Sequence, residues 1–173
     1  TLSPSGKLSL ASAPYVGQVF SLTGTVSSDG MILSSGSYSI TGGCAGGDHG
    51  TLSGFRVALI NGTYTGTFPA GGATINISVA LSQGTINSFA LSGNVTFTNA
   101  SSCGLTPASI VGGETGFIAG ADVRANMFSA PGTPIVGFHG QVSDSGARRI
   151  QGTIGILGGP CNGTSVPLTL TMP

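Results

Sequence analysis

The sequence predicts an all-β protein, an antiparallel barrel or sandwich of about ten to twelve short strands. Three observations predict it. Apolar residues alternate with serine, threonine or glycine in several short segments, turn-forming pairs separate these segments, and one hairpin-like segment occurs twice. No segment has the 3.6-residue apolar period and the capping residues that indicate a helix.

The alternation has the two-residue period of a strand with one buried face. It is clearest in VFSLTGTV, TINISVAL, FALSGNVTFT and VPLTLTM. Turn signals lie between such segments, at Asp29-Gly30, Asn61-Gly62, Gly71-Gly72 and Ser145-Gly146. Strands separated in this way are typical of antiparallel sheets joined by hairpins.

An internal repeat suggests two similar halves. LTGTVSSDGMILSSGSYSITGG, from Leu22 to Gly43, aligns without gaps with FHGQVSDSGARRIQGTIGILGG, from Phe138 to Gly159. A one-residue insertion, Pro160, then aligns Cys44 with Cys161. We interpret the unit as a β-hairpin that ends in a Gly-Gly bend. We expect one domain, 1–173, with approximate repeat units 1–58 and 59–173.

Charged residues are unusually rare in this chain. They make up 6% of it, five basic and five acidic, where globular domains carry about a quarter. Four arginines and one lysine cannot form the basic surface that a nucleic-acid partner or an anionic membrane requires. No apolar run is long enough for a transmembrane helix, so we expect no transmembrane segment. The chain opens on polar TLSPSGK rather than on a signal peptide, as a mature or trimmed form would.

The repeated phrases also carry a family resemblance. LTGTVSSDG, GSYSITGGCAGGDHGTLSG, NGTYTGTF, FALSGNVTFTNASSC and GGPCNG resemble a family of uncharacterised glycine- and threonine-rich lipoproteins of acidobacterial type. The resemblance covers most of the chain beyond about Val19. It implies export, usually a lipid-anchored N-terminus, and no established activity. This chain departs from the pattern because no lipid-attachment cysteine opens it and the first unit lacks its early cysteine, which leaves a lipid anchor uncertain.

Within that family pattern each unit has one cysteine after a strand and another in the Gly-Gly bend. Cys103 follows a strand and Cys161 lies in the second bend, so we expect these two to form a disulfide. It would close a loop of about 59 residues and stabilise the fold by about 4 kcal/mol in the chain-entropy model. Cys44 would be unpaired, or paired with a cysteine outside the chain. The rival pairing joins Cys44 to Cys161, the two bend cysteines.

No metal, cofactor or catalytic site is expected. The chain has no Cys-x-x-Cys pair, and its glycine-rich GGCAGGDHG lacks the Lys-Ser/Thr ending of a phosphate loop. Asp48 and His49 are adjacent, so on an extended chain they would point to opposite faces. We interpret them as part of a polar loop, and His139 as a half-exposed strand residue.

The few carboxylates do not suggest a glycosidase pair either. Asp29 and Asp144 fall near hairpin turns, where aspartate is expected for backbone reasons, and Glu114 has no evident partner. Five of the seven asparagines precede x-Ser/Thr and are candidate glycosylation sites, although strand alternation alone also places asparagine and threonine two apart. They are Asn61, Asn76, Asn94, Asn99 and Asn162.

Three function classes stay open. The first is an extracellular or cell-surface structural protein, a fibre, coat or adhesion subunit that associates with itself or with other surface proteins. In it, the terminal segments KLSLA and SVPLTLTMP could pair with a neighbouring subunit, because almost no lysine protects the strand edges. The second is a barrel that binds a small apolar ligand, and the third is a secreted hydrolase. The first is preferred.

Overall fold

A computed structural model of the chain describes residues 1–85, 89–113, 115–130 and 133–173. These residues form two compact units, Thr1–Arg56 and Val57–Pro173. The boundary lies close to the division that the internal repeat suggested, and the single-domain expectation stays a prediction. The all-β prediction is confirmed: no α-helix occurs in the described ranges, and a short 3₁₀ turn at Ser101–Cys103 is the helical element there.

The first unit is one antiparallel sheet with the strand order β1-β2-β3-β4. Its strands are β1 (Lys7–Ala11), β2 (Val19–Val26), β3 (Ile32–Thr41) and β4 (His49–Phe55). Residues 1–3 run back along the outer edge of β1, where Leu2 pairs with Leu8. Serine, threonine and glycine alternate with apolar residues in these strands, so one face of the sheet is apolar and the other polar.

The second unit contains the remaining strands. They are β5 (Asn61–Ala70), β6 (Ala73–Gln83), β7 (Leu91–Thr98), β8 (Ala108–Ile110), β9 (Gly116–Ala119), β10 (Asp122–Ala130), β11 (Thr133–Val142), β12 (Arg149–Ile156) and β13 (Ser165–Thr171). Eight of them form a closed antiparallel barrel in the order β11-β12-β13-β5-β6-β7-β8-β10, because β10 pairs in turn with β11. Strand β9 pairs with β10 beside β8.

The barrel interior is filled with side chains. Apolar residues at alternate strand positions point inward, and the largest fully buried ones include Tyr64, Phe68, Ile77, Ile154 and Leu170. Between the central core residues the interior leaves a cavity of about 10 Å³. The core of the second unit is therefore close-packed.

The repeat seen in the sequence is a repeat of structure. Leu22 in β2 pairs with Tyr38 in β3, and the aligned residues Phe138 in β11 and Ile154 in β12 also pair. The strand–turn–strand interpretation is thus confirmed for both copies, with the same register from Val19 to Thr23 and a register shift toward the turn in the first copy.

The bends that follow the two hairpins also have the same backbone hydrogen bonds. In the first bend the N–H of Gly47 donates to the carbonyl of Ile40 at 2.9 Å. In the second, the N–H of Gly163 donates to the carbonyl of Ile156, also at 2.9 Å. The two bends therefore correspond residue for residue, without an insertion.

This correspondence corrects the alignment of the cysteines. The carbonyl of Ala45 accepts a bond from the N–H three residues later, and so does the carbonyl of Cys161, both at 3.1 Å. Ala45 is thus the counterpart of Cys161, and Cys44 is the counterpart of Pro160. The expected insertion at Pro160 was wrong. It was placed so that the two cysteines would align, whereas the bend is defined by backbone hydrogen bonds that do not depend on which residue occupies the position.

Two further expectations are corrected. Asn61-Gly62 is not a turn but the start of β5, where the side-chain oxygen of Asn61 accepts a bond from the N–H of Gln83 at 2.8 Å. The C-terminal segment is not free to pair elsewhere, because β13 pairs with β12 and β5 inside the barrel. The described residues form thirteen strands, slightly more than expected.

Candidate functional site

Cys103 and Cys161 form a disulfide, the pairing preferred over Cys44–Cys161. The bond joins the 3₁₀ turn after β7 to the bend before β13, across 58 positions of sequence, and both cysteines are buried. Gly71 lies against it, since a Cβ there would come within 2.9 Å of both sulfur atoms. Cys44 is free and exposed, and its sulfur accepts a weak hydrogen bond from the side chain of Gln18 at 3.4 Å.

The Asp48-His49 pair does not form a catalytic contact. His49 is the first residue of β4, and its Nδ1 lies 2.9 Å from the carbonyl oxygen of Gly47. The imidazole is therefore positioned by the backbone of its own bend rather than by the neighbouring carboxylate. No hydroxyl bonds to this ring in the described part of the chain.

A different aspartate contacts a histidine on the outer surface of the barrel. His139 Nε2 lies 2.7 Å from Asp122 Oδ1, and Arg124 Nε lies 3.0 Å from Asp122 Oδ2. The guanidinium of Arg124 also lies 5.6 Å from the ring centre of Phe117, within the range of a cation–π contact. The three polar side chains belong to adjacent strands β10 and β11 and form one exposed cluster.

The chemistry of this cluster is that of a solvated ion pair. The hydrogen bond from His139, followed by that from Arg124, lowers the pKa of the Asp122 carboxyl below its ordinary value. An aspartate can orient an imidazole for nucleophilic catalysis, but this requires a nucleophile at the other ring nitrogen. Thr153 lies opposite His139 on β12, yet no hydroxyl bonds to the ring of His139 in the described ranges. Water screens the pair, since 59% of the His139 side chain is exposed.

Sequence reasoning missed the contact with Asp122 and assigned His139 only to a half-exposed position. Asp122 and His139 are 17 positions apart, and they meet because the β10–β11 register places Arg124 opposite His139. No local motif marks that register, so only the strand pairing reveals the contact.

The other predicted carboxylates serve the turns where they were expected. Asp29 accepts hydrogen bonds from the Ser27 hydroxyl and the Met31 N–H, and these lower the pKa of its carboxyl. Asp144 accepts a bond from the N–H of Arg148 at 3.0 Å. Glu114 lies outside the described residues. Within the described ranges, no three His, Cys, Asp or Glu side chains are grouped where they could hold a metal ion.

All five candidate glycosylation asparagines are exposed. They lie at the start of β5, on the outer faces of β6 and β7, just after β7, and in the bend before β13, as Asn61, Asn76, Asn94, Asn99 and Asn162. The Asn76 amide donates to the Thr98 hydroxyl of the adjacent strand, so cross-strand hydrogen bonding accounts for that polar pair.

The most unusual surface is the apolar face of the first sheet. We call it the β1–β4 face, and it consists of Leu8, Leu10, Phe20, Leu22, Val26, Leu33, Tyr38, Ile40 and Leu52. None of these residues is fully buried, and the buried hydrophobic core of the chain begins only at Ile60. Leu10 is 48% exposed and Phe20 is 41% exposed. Phe20 and Tyr38 stack on this face with ring centres 6.1 Å apart.

This face is the candidate functional site. Single exposed apolar residues are normal on proteins, but a continuous apolar sheet face marks an interaction surface. The sheet also has two outer edges, one at β4 and one at β1 beyond the segment covered by residues 1–3. Unpaired strand edges offer backbone donors and acceptors to a further strand.

No helix in the described residues is long and apolar enough to cross a membrane. A scan against protein-family models gives no match for this chain, and a search of curated proteins gives none either.

Proposed function

We propose that this chain is an exported, non-catalytic structural β-protein that associates with copies of itself outside the cell, as a fibre, coat or adhesion subunit. The observation that carries the proposal is the β1–β4 face, on which Leu10 and Phe20 are exposed and the other residues half-buried, together with its two strand edges. Burying apolar surface of this kind gives about 25 cal/mol per Å², so association has a clear driving force.

The sparse charge of the chain supports self-association. Lys7 is the one lysine, it lies on edge strand β1, and the net charge is zero. Natural β-proteins commonly protect strand edges with lysine and other charges, and net charge keeps copies apart. Both protections are weak here.

The rival functions have less structural support. A small-ligand barrel needs an interior of several hundred Å³, whereas the cavity among the central core residues is about 10 Å³. A hydrolase needs an activated nucleophile, and the Asp122–His139 pair is exposed and has no hydroxyl partner among the described residues. The Cys103–Cys161 disulfide is compatible with an oxidising, extracellular environment.

Sedimentation velocity over a wide concentration range tests this function. We expect the sedimentation coefficient to rise with protein concentration and to change little between low and high salt, because apolar contacts and backbone pairing are not screened. A chain that stays monomeric at the highest concentrations, without a partner or anchor, would overturn the proposal.

A further inference from the structure

The first unit has the same strand pairing as one half of the barrel. A row of paired residues crosses β1 to β4, and an equivalent row crosses β10 to β13. The first row is Leu10, Leu22, Tyr38 and Gly50, and the second is Ala125, Phe138, Ile154 and Val166. Along this row the β1–β4 sheet repeats the order, direction and register of β10–β13, and farther along a register shift after Thr23 and another between Leu33 and Gly36 separate the two patterns.

The correspondence extends beyond the four strands. Residues 1–3 lie along β1 as β9 lies along β10: Leu2 pairs with Leu8, and Ile118 pairs with Val123. A similar bond ends each unit: the Arg56 N–H donates to the Met31 carbonyl, and the Met172 N–H donates to the Arg148 carbonyl, one position farther along because β3 is bulged. Apart from these register shifts, the first unit has the strand arrangement of the segment from β9 onward.

Glycines lie at equivalent positions in the two sheets, and at each of them a neighbouring strand approaches closely. A Cβ on Gly36 in β3 would lie 2.5 Å from the Leu52 carbonyl oxygen, and one on Gly152 in β12 would lie 2.2 Å from the His139 carbonyl oxygen. Glycines at such positions allow strands to bend and coil, which is how a sheet closes into a barrel. The β1–β4 sheet has such a glycine but does not close into a barrel by itself.

The two copies differ in what covers them. Phe20 is 41% exposed, whereas its counterpart Val136 is fully buried. Leu10 is 48% exposed, whereas its counterpart Ala125 is 4% exposed. Strands β5–β8 cover β10–β13 and pair with both of its edges, through β13–β5 and β8–β10. Among the described residues, no corresponding sheet pairs with β1–β4.

We propose that the β1–β4 sheets of two copies of this chain cover each other and close a second, intermolecular eight-stranded barrel. Each chain contains three four-stranded half-barrels, β1–β4, β5–β8 and β10–β13. The second and third pair with each other inside the chain. The β1–β4 half-barrel can therefore be completed by the β1–β4 half-barrel of a second copy. In an antiparallel four-stranded meander the first and last strands run in opposite directions. A two-fold axis along the barrel therefore makes β4 of each copy antiparallel to β1 of the other, which it meets beyond the part covered by residues 1–3, as β8 meets β10 beyond β9. The interface is isologous.

This proposal rests on the proposed function and names its partner and geometry. No aspartate, glutamate, lysine or arginine lies on the β1–β4 face, so its burial removes no charge from water. The hydroxyl-rich faces of both sheets stay outside, as they do in the barrel of the second unit.

The test compares the full chain with two lysine variants of β1. Leu10→Lys places a charge on the β1–β4 face, and the matched control Ser9→Lys places it on the opposite, polar face of the same strand. Because Leu10 is already 48% exposed, the variant should fold, which circular dichroism and urea unfolding check. We expect the native chain and Ser9→Lys to form dimers of twice the 16.9 kDa chain mass, and Leu10→Lys to weaken dimerisation at least about 100-fold.

Hydrogen exchange supplies a second measurement. In the dimer, backbone amides at the outer edge of β4 should become protected, and this protection should be lost in Leu10→Lys. A native chain that is monomeric would overturn both this proposal and the proposed function. Oligomers that are insensitive to Leu10→Lys, or that leave the β4 edge unprotected, would overturn the intermolecular barrel while leaving self-association standing.

Discussion

The hydroxyl of Tyr64 donates a 2.5 Å hydrogen bond to the carbonyl of Ala147, and both residues are completely buried. Tyr64 lies on β5, whereas Ala147 lies in the turn between β11 and β12 with a left-handed φ of 53°. Burial, and then the nearby charge of Asp144, raise the pKa of the Tyr64 hydroxyl, so it stays a neutral donor at physiological pH. The bond fixes the β11–β12 turn at one end of the barrel.

Tyr64→Phe should therefore lower the free energy of unfolding by about 1–3 kcal/mol, because it leaves the buried Ala147 carbonyl without its partner while keeping the ring. Urea unfolding of the variant measures this. Tyr15→Phe is the matched control, since Tyr15 is 79% exposed and should show no change. Equal stabilities for the two variants would contradict the role assigned to the bond.

Replacing Cys103 and Cys161 together by serine should destabilise the chain by about 4 kcal/mol in the chain-entropy model, given the 58-position separation. Cys44→Ser should change stability by less than about 0.5 kcal/mol, because Cys44 is exposed. Non-reducing peptide mapping gives an independent check, and a Cys44–Cys161 peptide would show the pairing to be wrong.

Gly152→Ala should destabilise the barrel by about 1–3 kcal/mol, because the new methyl group would overlap the His139 carbonyl. Gly155→Ala, in the same strand, has no atom closer than 4.0 Å and should be neutral or slightly stabilising. Thermal unfolding of the two variants tests the close strand approach directly. A Gly152→Ala protein as stable as Gly155→Ala would refute it.

NMR titration of the aspartate carboxyl groups should give Asp122 a pKa below its ordinary value of 3.8. Because the folded-state pKa is lowered, the stabilising contribution of Asp122 is present above the unfolded-state pKa and is lost as the pH falls through the folded-state value. His139→Gln should raise the Asp122 pKa and leave that of Asp29, which depends on Ser27, unchanged. The same variant, and His49→Gln, should leave the fold intact, because both histidine side chains are exposed.

Much of the fold could be predicted from local patterns. The segment VFSLTGTV coincides with β2, and KLSLA coincides with β1, because the two-residue alternation is itself the physical cause of a half-buried strand. The gapless repeat also identified both hairpins. Turn chemistry was less certain, since Asn61-Gly62 starts a strand.

The closure of the barrel could not be predicted in this way. It depends above all on β13 pairing with β5, which joins Thr171 to Thr65 across 106 positions of sequence and leaves no local signal. The candidate site could not be predicted from the sequence for a related reason. Phe20 and Val136 occupy equivalent positions in two similar sequences, and only the fold distinguishes the exposed one from the buried one.

The similarity of β1–β4 to β10–β13 has a consequence for folding. The first sheet is synthesised before β5–β8, so we expect these strands to meet a sheet with the same strand order before their native partner exists. The native partner carries Cys161 at the position where the first sheet has Ala45. We therefore expect the Cys103–Cys161 disulfide to favour the native pairing of the two half-barrels.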